Sequence, residues 1–353
     1  MDNILKYIQA NKDLTYQEKA FNEIDALIYS LLPYIDFRGL INHPTTIKNA
    51  YERLINKFSL KTKDKFTEKN KSLLKALATS KRFQNNIIDS YACIESKTTQ
   101  FGAITIKVPH LFKFIAFEGT NDLIVGWEEN FMMSYRYPIP AQIQATKYLK
   151  ENIKLNDLLI YVGGHSKGGN LAMYALMEAN FLNRYKIAYA FNYDGPGFAK
   201  EIVNSHKYQK IKEKIRAYYP EESLIGMILN NDGPKKIIKS NALGIYQHNA
   251  HSWLIQNDKF IETTLSPNSL AFHQKIEQIF QTIPQNKRQS FCQTFFKILY
   301  NSGYTLKSEL NGIHLTKTIS LIKETTNLTS DEKKLLIEII KTILINNQDK
   351  ITK

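Results

Sequence analysis

The chain has 353 residues, 43% hydrophobic and 23% charged, enough to bury a large core and too apolar for a disordered polypeptide. Two cysteines, Cys93 and Cys292, exclude a disulfide framework, and no apolar run approaches a membrane span. Lys and Arg number 47 against 33 Asp and Glu, and the net charge of +14 admits nucleic acid or an anionic membrane surface as a partner. No dense basic run with interleaved aromatics stands out, and 207–214 and 235–239 are only short clusters. A compositional bias toward Lys, Asn and Ile accounts for them more simply, and leaves nucleic-acid binding a minor option. The opening Met1-Asp-Asn-Ile-Leu-Lys6 lacks the basic-then-apolar pattern of a secretion signal, so a reducing, cytoplasmic setting is expected.

Residues 1–85 read as a helical segment packed on the rest. Thr15-Tyr-Gln-Glu18 has capping-box spacing, and Phe21, Ile24, Leu27, Ile28, Leu31 and Leu32 follow at helical period. Asp25 sits amid that stripe, where it reads as a flank residue or else as buried and paired, and helical character resumes from Asn70 to Leu77. Nothing in this region reads as chemistry.

Residues 88–95, 102–108 and 111–117 are rich in β-branched and aromatic side chains and predict consecutive strands, with a hairpin at Pro109-His110. The third ends in Phe117-Glu-Gly-Thr-Asn-Asp122, a small polar loop. The apolar segment Leu123–Met133 follows. It reads as a core helix, or as a lid or acyl-binding wall in which Trp127 and Met132 would touch an apolar substrate. Gln142–Glu151 predicts a further helix.

The apolar run Leu158–Val162 then leads into Gly164-His-Ser-Lys-Gly168, a match to G-x-S-x-G, with a helix-like segment from Asn170 to Met177 behind it. Chance supplies roughly 0.03 such matches in a chain of this composition, before the strand-to-helix context is required. This is the pattern of a nucleophile elbow, which makes Ser166 the candidate nucleophile. The N–H of Lys167 is one candidate oxyanion donor, and Thr120, in the loop after the third strand, is the other. A glycine-rich turn binding phosphate is the competing reading, but P-loop and dinucleotide spacings are absent.

Lys186–Tyr193 and Ile211–Tyr219 predict further strands, the first closing in Asp194-Gly-Pro-Gly-Phe198 and the second in Pro220-Glu-Glu-Ser223. Strands alternating with helices give an α/β class with a mostly parallel sheet, and groups at strand ends share one crevice. Late in the chain, Gly244-Ile-Tyr-Gln-His-Asn-Ala-His-Ser-Trp253 supplies a histidine downstream of a carboxylate, in the order Ser, acid, His. His248 is the candidate base and His251 its competitor. The pair lacks the further ligands a metal site needs, so no metal or cofactor is expected.

Beyond Ile255 the chain reads as helices again. One apolar stripe is Phe291, Phe295, Phe296 and Leu299, and another runs from Leu335 to Leu344 behind Thr329…Glu332. The expected organisation is a helical segment 1–85, a core 86–255 and a helical appendage 256–353.

Phe117-Glu-Gly-Thr120, Gly126-Trp-Glu-Glu129, Gly164-His-Ser-Lys-Gly-Gly-Asn170, Asp194-Gly-Pro-Gly-Phe198, Ser223-Leu-Ile-Gly226 and Gln247-His248…Ser252-Trp253 together resemble the Mbeg-like bacterial proteins, which are related to class 3 (fungal-type) lipases. The resemblance implies an α/β-hydrolase fold and a serine-hydrolase site with Ser166 as nucleophile and Thr120 at the oxyanion position. The sequence departs from the related F-R-G-[ST] pattern by placing Glu118 where Arg is usual. The acid is open between Asp194, favoured by the D-G-P-G turn, and Glu222, at the position the lipases imply.

The reading is thus a serine esterase or lipase-like hydrolase using Ser166, His248 and Asp194 on a small acyl ester or lipid. The alternatives are an inactive hydrolase-fold scaffold and, behind it, a nucleic-acid-associated protein. Oligomeric state is open.

Overall fold

Eight strands lie side by side in chain order, an arrangement that by itself dictates where the helices go. They are β1 (Thr45–Thr46), β2 (Ile87–Glu95), β3 (Gln100–Val108), β4 (Phe112–Phe117), β5 (Ile160–His165), β6 (Ile187–Tyr193), β7 (Ile215–Pro220) and β8 (Lys235–Ile238). The computed structural model describes residues 2–57 and 65–306, with residues 309, 319, 320, 322, 323, 329, 330, 333 and 334 beyond them. Strands β1 to β4 pair antiparallel and β4 to β8 pair parallel. The β3–β4 hairpin turns through His110, which adopts φ 63°.

Parallel strands laid down in sequential order, each joined by a right-handed crossover, put every connecting helix on one face of the sheet. The helices of the first segment are α1 (Asn3–Asn11), α2 (Glu23–Leu31), α3 (Ile47–Lys57) and α4 (Lys65–Ala78). The crossover helices are α5 (Ile124–Met132), α6 (Pro140–Asn152), α7 (Lys167–Glu178), α8 (Phe181–Lys186), α9 (Lys200–Val203) and α10 (His206–Gln209). On the crossover face Ile115, Phe117, Val162 and Ala190 pack with Leu149 of α6 and Leu171 and Ala175 of α7. The opposite face would be bare. There Phe114, Ala116, Phe191 and Tyr193, the alternate residues of the same strands, pack with Leu27, Ile28 and Leu31 of α2. This mostly parallel sheet, covered on both faces, is an α/β-hydrolase fold.

Four expectations change. The Thr15–Glu18 bonds do form, with Thr15 N donating to Glu18 Oε2 at 2.7 Å, but they close a turn rather than start a helix. Helix α2 begins later because Asn22 accepts from Ile24 N and Asp25 N while Asp25 accepts from Asn22 N, a complete capping box nearer the apolar stripe. Asp25 is not a flank residue. It is fully buried, and Arg82 donates to it through Nε at 3.0 Å and Nη2 at 2.6 Å. Lys235–Ile238, read only as part of a basic cluster, forms edge strand β8.

The chain beyond Ile255 does not go straight into helix. A small ribbon of β9 (Ile255–Gln256) and β10 (Lys259–Phe260) precedes α11 (Pro267–Thr282) and α12 (Gln285–Asn301). The stripe Phe291, Phe295, Phe296 and Leu299 is buried as its spacing implies, against Ile124 and Trp127 of α5. Glu332 and the stripe from Leu335 to Leu344 lie outside the described residues. No helix among the described residues is long and apolar enough to cross a membrane.

Candidate active site

The turn from β5 into α7 is tight because glycines let backbone approach backbone. A Cβ on Gly164 would sit 2.3 Å from the carbonyl carbon of Gly168, and one on Gly168 would sit 2.1 Å from the oxygen of Phe117. Between them Ser166 takes φ 58° and ψ −133°, a conformation that costs a non-glycine residue of order 1–3 kcal/mol. The N–H of Ser166 donates to the Tyr193 oxygen at 2.9 Å, which ties the strained residue to neighbouring strand β6. Strain held in this way presents a side chain at the carboxyl end of the sheet.

The Asp194–Gly195 turn lies at the end of β6 against the same residue, since a Cβ on Gly195 would meet the Ser166 oxygen at 2.3 Å. Asp194 is completely buried. One carboxylate oxygen accepts from Ser223 Oγ at 2.5 Å and Gly226 N at 3.1 Å, and the other lies 2.6 Å from His248 Nδ1. An ionised carboxylate only accepts, so His248 carries its proton on Nδ1 and leaves Nε2 with a free lone pair. The acid and the histidine of that sequence order are thus hydrogen-bonded to each other, and the acid's turn packs against the backbone of Ser166.

The other two acid and base candidates sit elsewhere. Glu222 accepts from Gly244 N at 2.5 Å and Gln247 Nε2 at 3.0 Å, which braces the short 3-10 turn leading to His248. His251 is buried with Nδ1 2.8 Å from Asp2 Oδ2 and Nε2 3.0 Å from Asn70 Oδ1, pinning the first residues of α1 and helix α4 to this segment. Among the described residues no group of three or more His, Cys, Asp or Glu is placed to hold a metal ion.

The 118–120 loop closes the site from the β4 side. A Cβ on Gly119 would come within 3.0 Å of Ser166 Cβ, so this loop and the elbow are in contact. Glu118 N donates to Gly102 O at 2.8 Å, Gln100 Nε2 donates to Gly119 O at 3.2 Å, and Asn130 Nδ2 donates to Thr120 Oγ1 at 2.8 Å. Lys167 is the first residue of α7, where helix geometry leaves the N–H without an intrahelical acceptor. Its side chain runs inward, fully buried. Nζ donates to Gln100 O at 2.7 Å, Gln100 Oε1 at 2.6 Å and Glu129 Oε2 at 2.8 Å. Glu118, standing where the related pattern has Arg, is buried beside this network, and burial pushes its carboxyl up to about 8.

Trp127, read as a core residue or as part of an acyl-binding wall, is packed in a helix–helix cluster. Its indole is 6% exposed and meets Phe131, Phe295 and Phe296 edge-on at centroid distances of 5.7–6.0 Å, in the cluster joining α5 to α12. Met132 is partly buried and packs against both that cluster and the crossover-face core. A Trp in an amphipathic segment packs wherever a partner stripe exists, and α12 supplies one.

Two residues at the site escaped the sequence reading. The ring of His165 is buried, with Nε2 2.7 Å from the His248 main-chain oxygen and Nδ1 3.0 Å from the Tyr34 hydroxyl. Burial holds its pKa well below the usual histidine value, so the ring is neutral. The carbonyl accepts only, which puts the proton on Nε2 and lets Nδ1 accept from Tyr34. Tyr34 also reaches the loop, since a Cβ on Gly119 would lie 2.0 Å from its hydroxyl. His165 could have been noticed as the x of G-x-S-x-G. Tyr34 carries no local signal and arrives through the α2 packing.

Two solved lipase structures are similar to the chain. The crystal structure of M37 lipase is 14% identical over 60% of this chain and 70% of that one, with a TM-score of 0.35. A fungal lipase–inhibitor complex is 11% identical over 61% of this chain and 79% of that one, with a TM-score of 0.37. Likenesses this distant do not bear on activity. No curated protein matches the chain. The Mbeg1-like family model matches residues 77–297, well over half the sequence and all of the strands from β2 to β8, and the chain belongs to the Mbeg1-like family.

Proposed function

We propose that the protein is a serine hydrolase that cleaves a carboxylic or acyl ester, lipid esters included, through an acyl-enzyme. The observation that carries this reading is the 2.6 Å contact between His248 Nδ1 and buried Asp194, beside a serine held at φ 58°. Ser166 Oγ attacks the acyl carbon as its proton passes to His248 Nε2. The N–H groups of Lys167 and Thr120 receive the tetrahedral oxyanion. The intermediate collapses, and the alcohol leaves with the proton from His248. Water, deprotonated by the same nitrogen, then releases the acid and restores the serine. Asp194 fixes the tautomer and stabilises the imidazolium, and Glu222 plays no direct part.

The test is labelling of the purified protein with a fluorophosphonate, beside Ser166→Ala and His248→Ala. Labelling that requires Ser166 and drops sharply without His248 supports an activated serine. A folded protein that stays unlabelled, including in detergent, sinks the reading.

A further inference from the structure

The most exposed large apolar side chains cluster at the end of the sheet away from Ser166. Among the described residues the four highest are Leu155 (94% exposed), Leu158 (90%), Tyr185 (80%) and Phe181 (78%), with Leu182 following at 65%. They come from two segments, the loop before β5 and helix α8 before β6. Ile160 and Ile187 are paired neighbours in the parallel sheet, so the residues leading into them share one edge. Lys186 Nζ fastens the two segments together, donating to Lys154 O at 2.8 Å and Leu155 O at 2.7 Å. Ser166 follows the six residues of β5, about 20 Å away at roughly 3.3 Å per residue.

Cations accompany these side chains in the same segments and in the turn beside them. Lys150, Lys154, Arg184 and Lys186 lie in the same segments, and Lys214 Nζ, donating to the oxygens of Arg184 and Ile187, draws in the neighbouring turn with Lys210 and Lys212. Of the acids in these stretches, Asp157 is already paired with Lys113 at 2.8 Å, leaving Glu151 and Glu213. Bulky apolar residues that project from loops, accompanied by lysines, match what a lipid interface requires: apolar groups that enter the acyl boundary and cations that meet anionic headgroups. A second copy of the chain suits this edge poorly, because a two-fold contact would set lysines against lysines.

The geometry points to this edge as a docking surface for an anionic phospholipid bilayer. Leu155, Leu158, Phe181 and Tyr185 insert, and the accompanying lysines bind headgroups. The end bearing Ser166 then faces the aqueous phase. The surface does not depend on the hydrolase reading; combined with it, docking makes the substrate an ester reached from water rather than one drawn directly from the bound leaflet.

The experiment is co-sedimentation of the full chain with phosphatidylcholine vesicles, with and without about one third phosphatidylserine. Wild type is compared with Leu155→Ser/Leu158→Ser, Phe181→Ser/Tyr185→Ser, Lys150→Glu/Lys154→Glu and Ser166→Ala. Thermal melts confirm that the exposed substitutions leave the fold intact. The expected result is binding that needs the anionic lipid and weakens about tenfold or more in each surface variant, with Ser166→Ala binding like wild type. Three outcomes overturn the proposal: no vesicle binding by wild type, surface variants that bind undiminished, or binding lost with Ser166→Ala, which would place the bilayer at the other end. Wild type that ignores vesicles but self-associates, in a way the surface variants abolish, assigns the edge to a second copy instead.

Discussion

The ring of His165 donates from Nε2 to the main-chain oxygen of His248 at 2.7 Å, and the two imidazoles lie 4.7 Å apart, 34° from parallel. The residue before the proposed nucleophile therefore grips the backbone of the proposed base. Tyr34 grips His165 in turn, so a residue outside the sheet sets the position of the histidine.

Loosening that grip should slow the chemistry without weakening binding. For His165→Phe, the rate of Ser166 labelling at saturating fluorophosphonate is expected to fall about tenfold to a hundredfold, the scale of one lost hydrogen bond to a buried group. The probe concentration giving half-maximal rate should barely change. Tyr34→Phe should show the same split at smaller size. Unchanged maximal rates in both would remove His165 from a positioning role.

The two carboxylate candidates separate cleanly by substitution. Asp194→Asn keeps the shape but offers Nδ1 an amide in place of a carboxylate, and a drop of about ten-thousandfold in turnover is expected. Glu222→Gln keeps acceptors for Gly244 N and loses only charge, so turnover should stay within about threefold. The reverse ranking would reassign the acid.

Under the elbow, Lys167 and Glu129 form an ion pair in which both side chains are wholly buried. Lys167→Met or Glu129→Gln alone leaves polar or charged groups without their partner, and each should cost about 3–5 kcal/mol in urea denaturation. The double variant should recover part of that loss. Strict additivity of the two would mean that the pair is not coupled.

Glu118 makes stability depend on pH. Its folded value of about 8 lies above the ordinary 4.5, because burial outweighs the attraction of Lys167, and Glu95 and Asp36 add to the rise. The folded state therefore holds an additional proton between those values. This group's contribution is fully present below about pH 4.5 and is lost as pH rises through 8. Glu118→Gln, which can still accept from Gln100 Nε2, should flatten the fall in melting temperature between about pH 4.5 and 8. A fall as steep as wild type's would show that other groups carry it.

The sequence by itself determined the local devices, because each is written in neighbouring residues. Glycines at 164 and 168 permit the backbone-on-backbone turn at Ser166, and alternation in 112–117 and 187–193 yields strands that face two cores. The chain order of Ser166, Asp194 and His248 follows from strands that end at one edge. Tertiary structure alone decided which partners these devices meet. Asp25 looked like a flank residue because Arg82, 57 positions away, is invisible to helical periodicity. Trp127 stayed open between core packing and substrate contact because the stripe that buries it comes more than 150 residues later in the chain. Tyr34 looked inert because its role exists only once sequential parallel strands send their crossover helices to one face. The bare face must then be covered, and the α2 segment that covers it delivers a hydroxyl to His165.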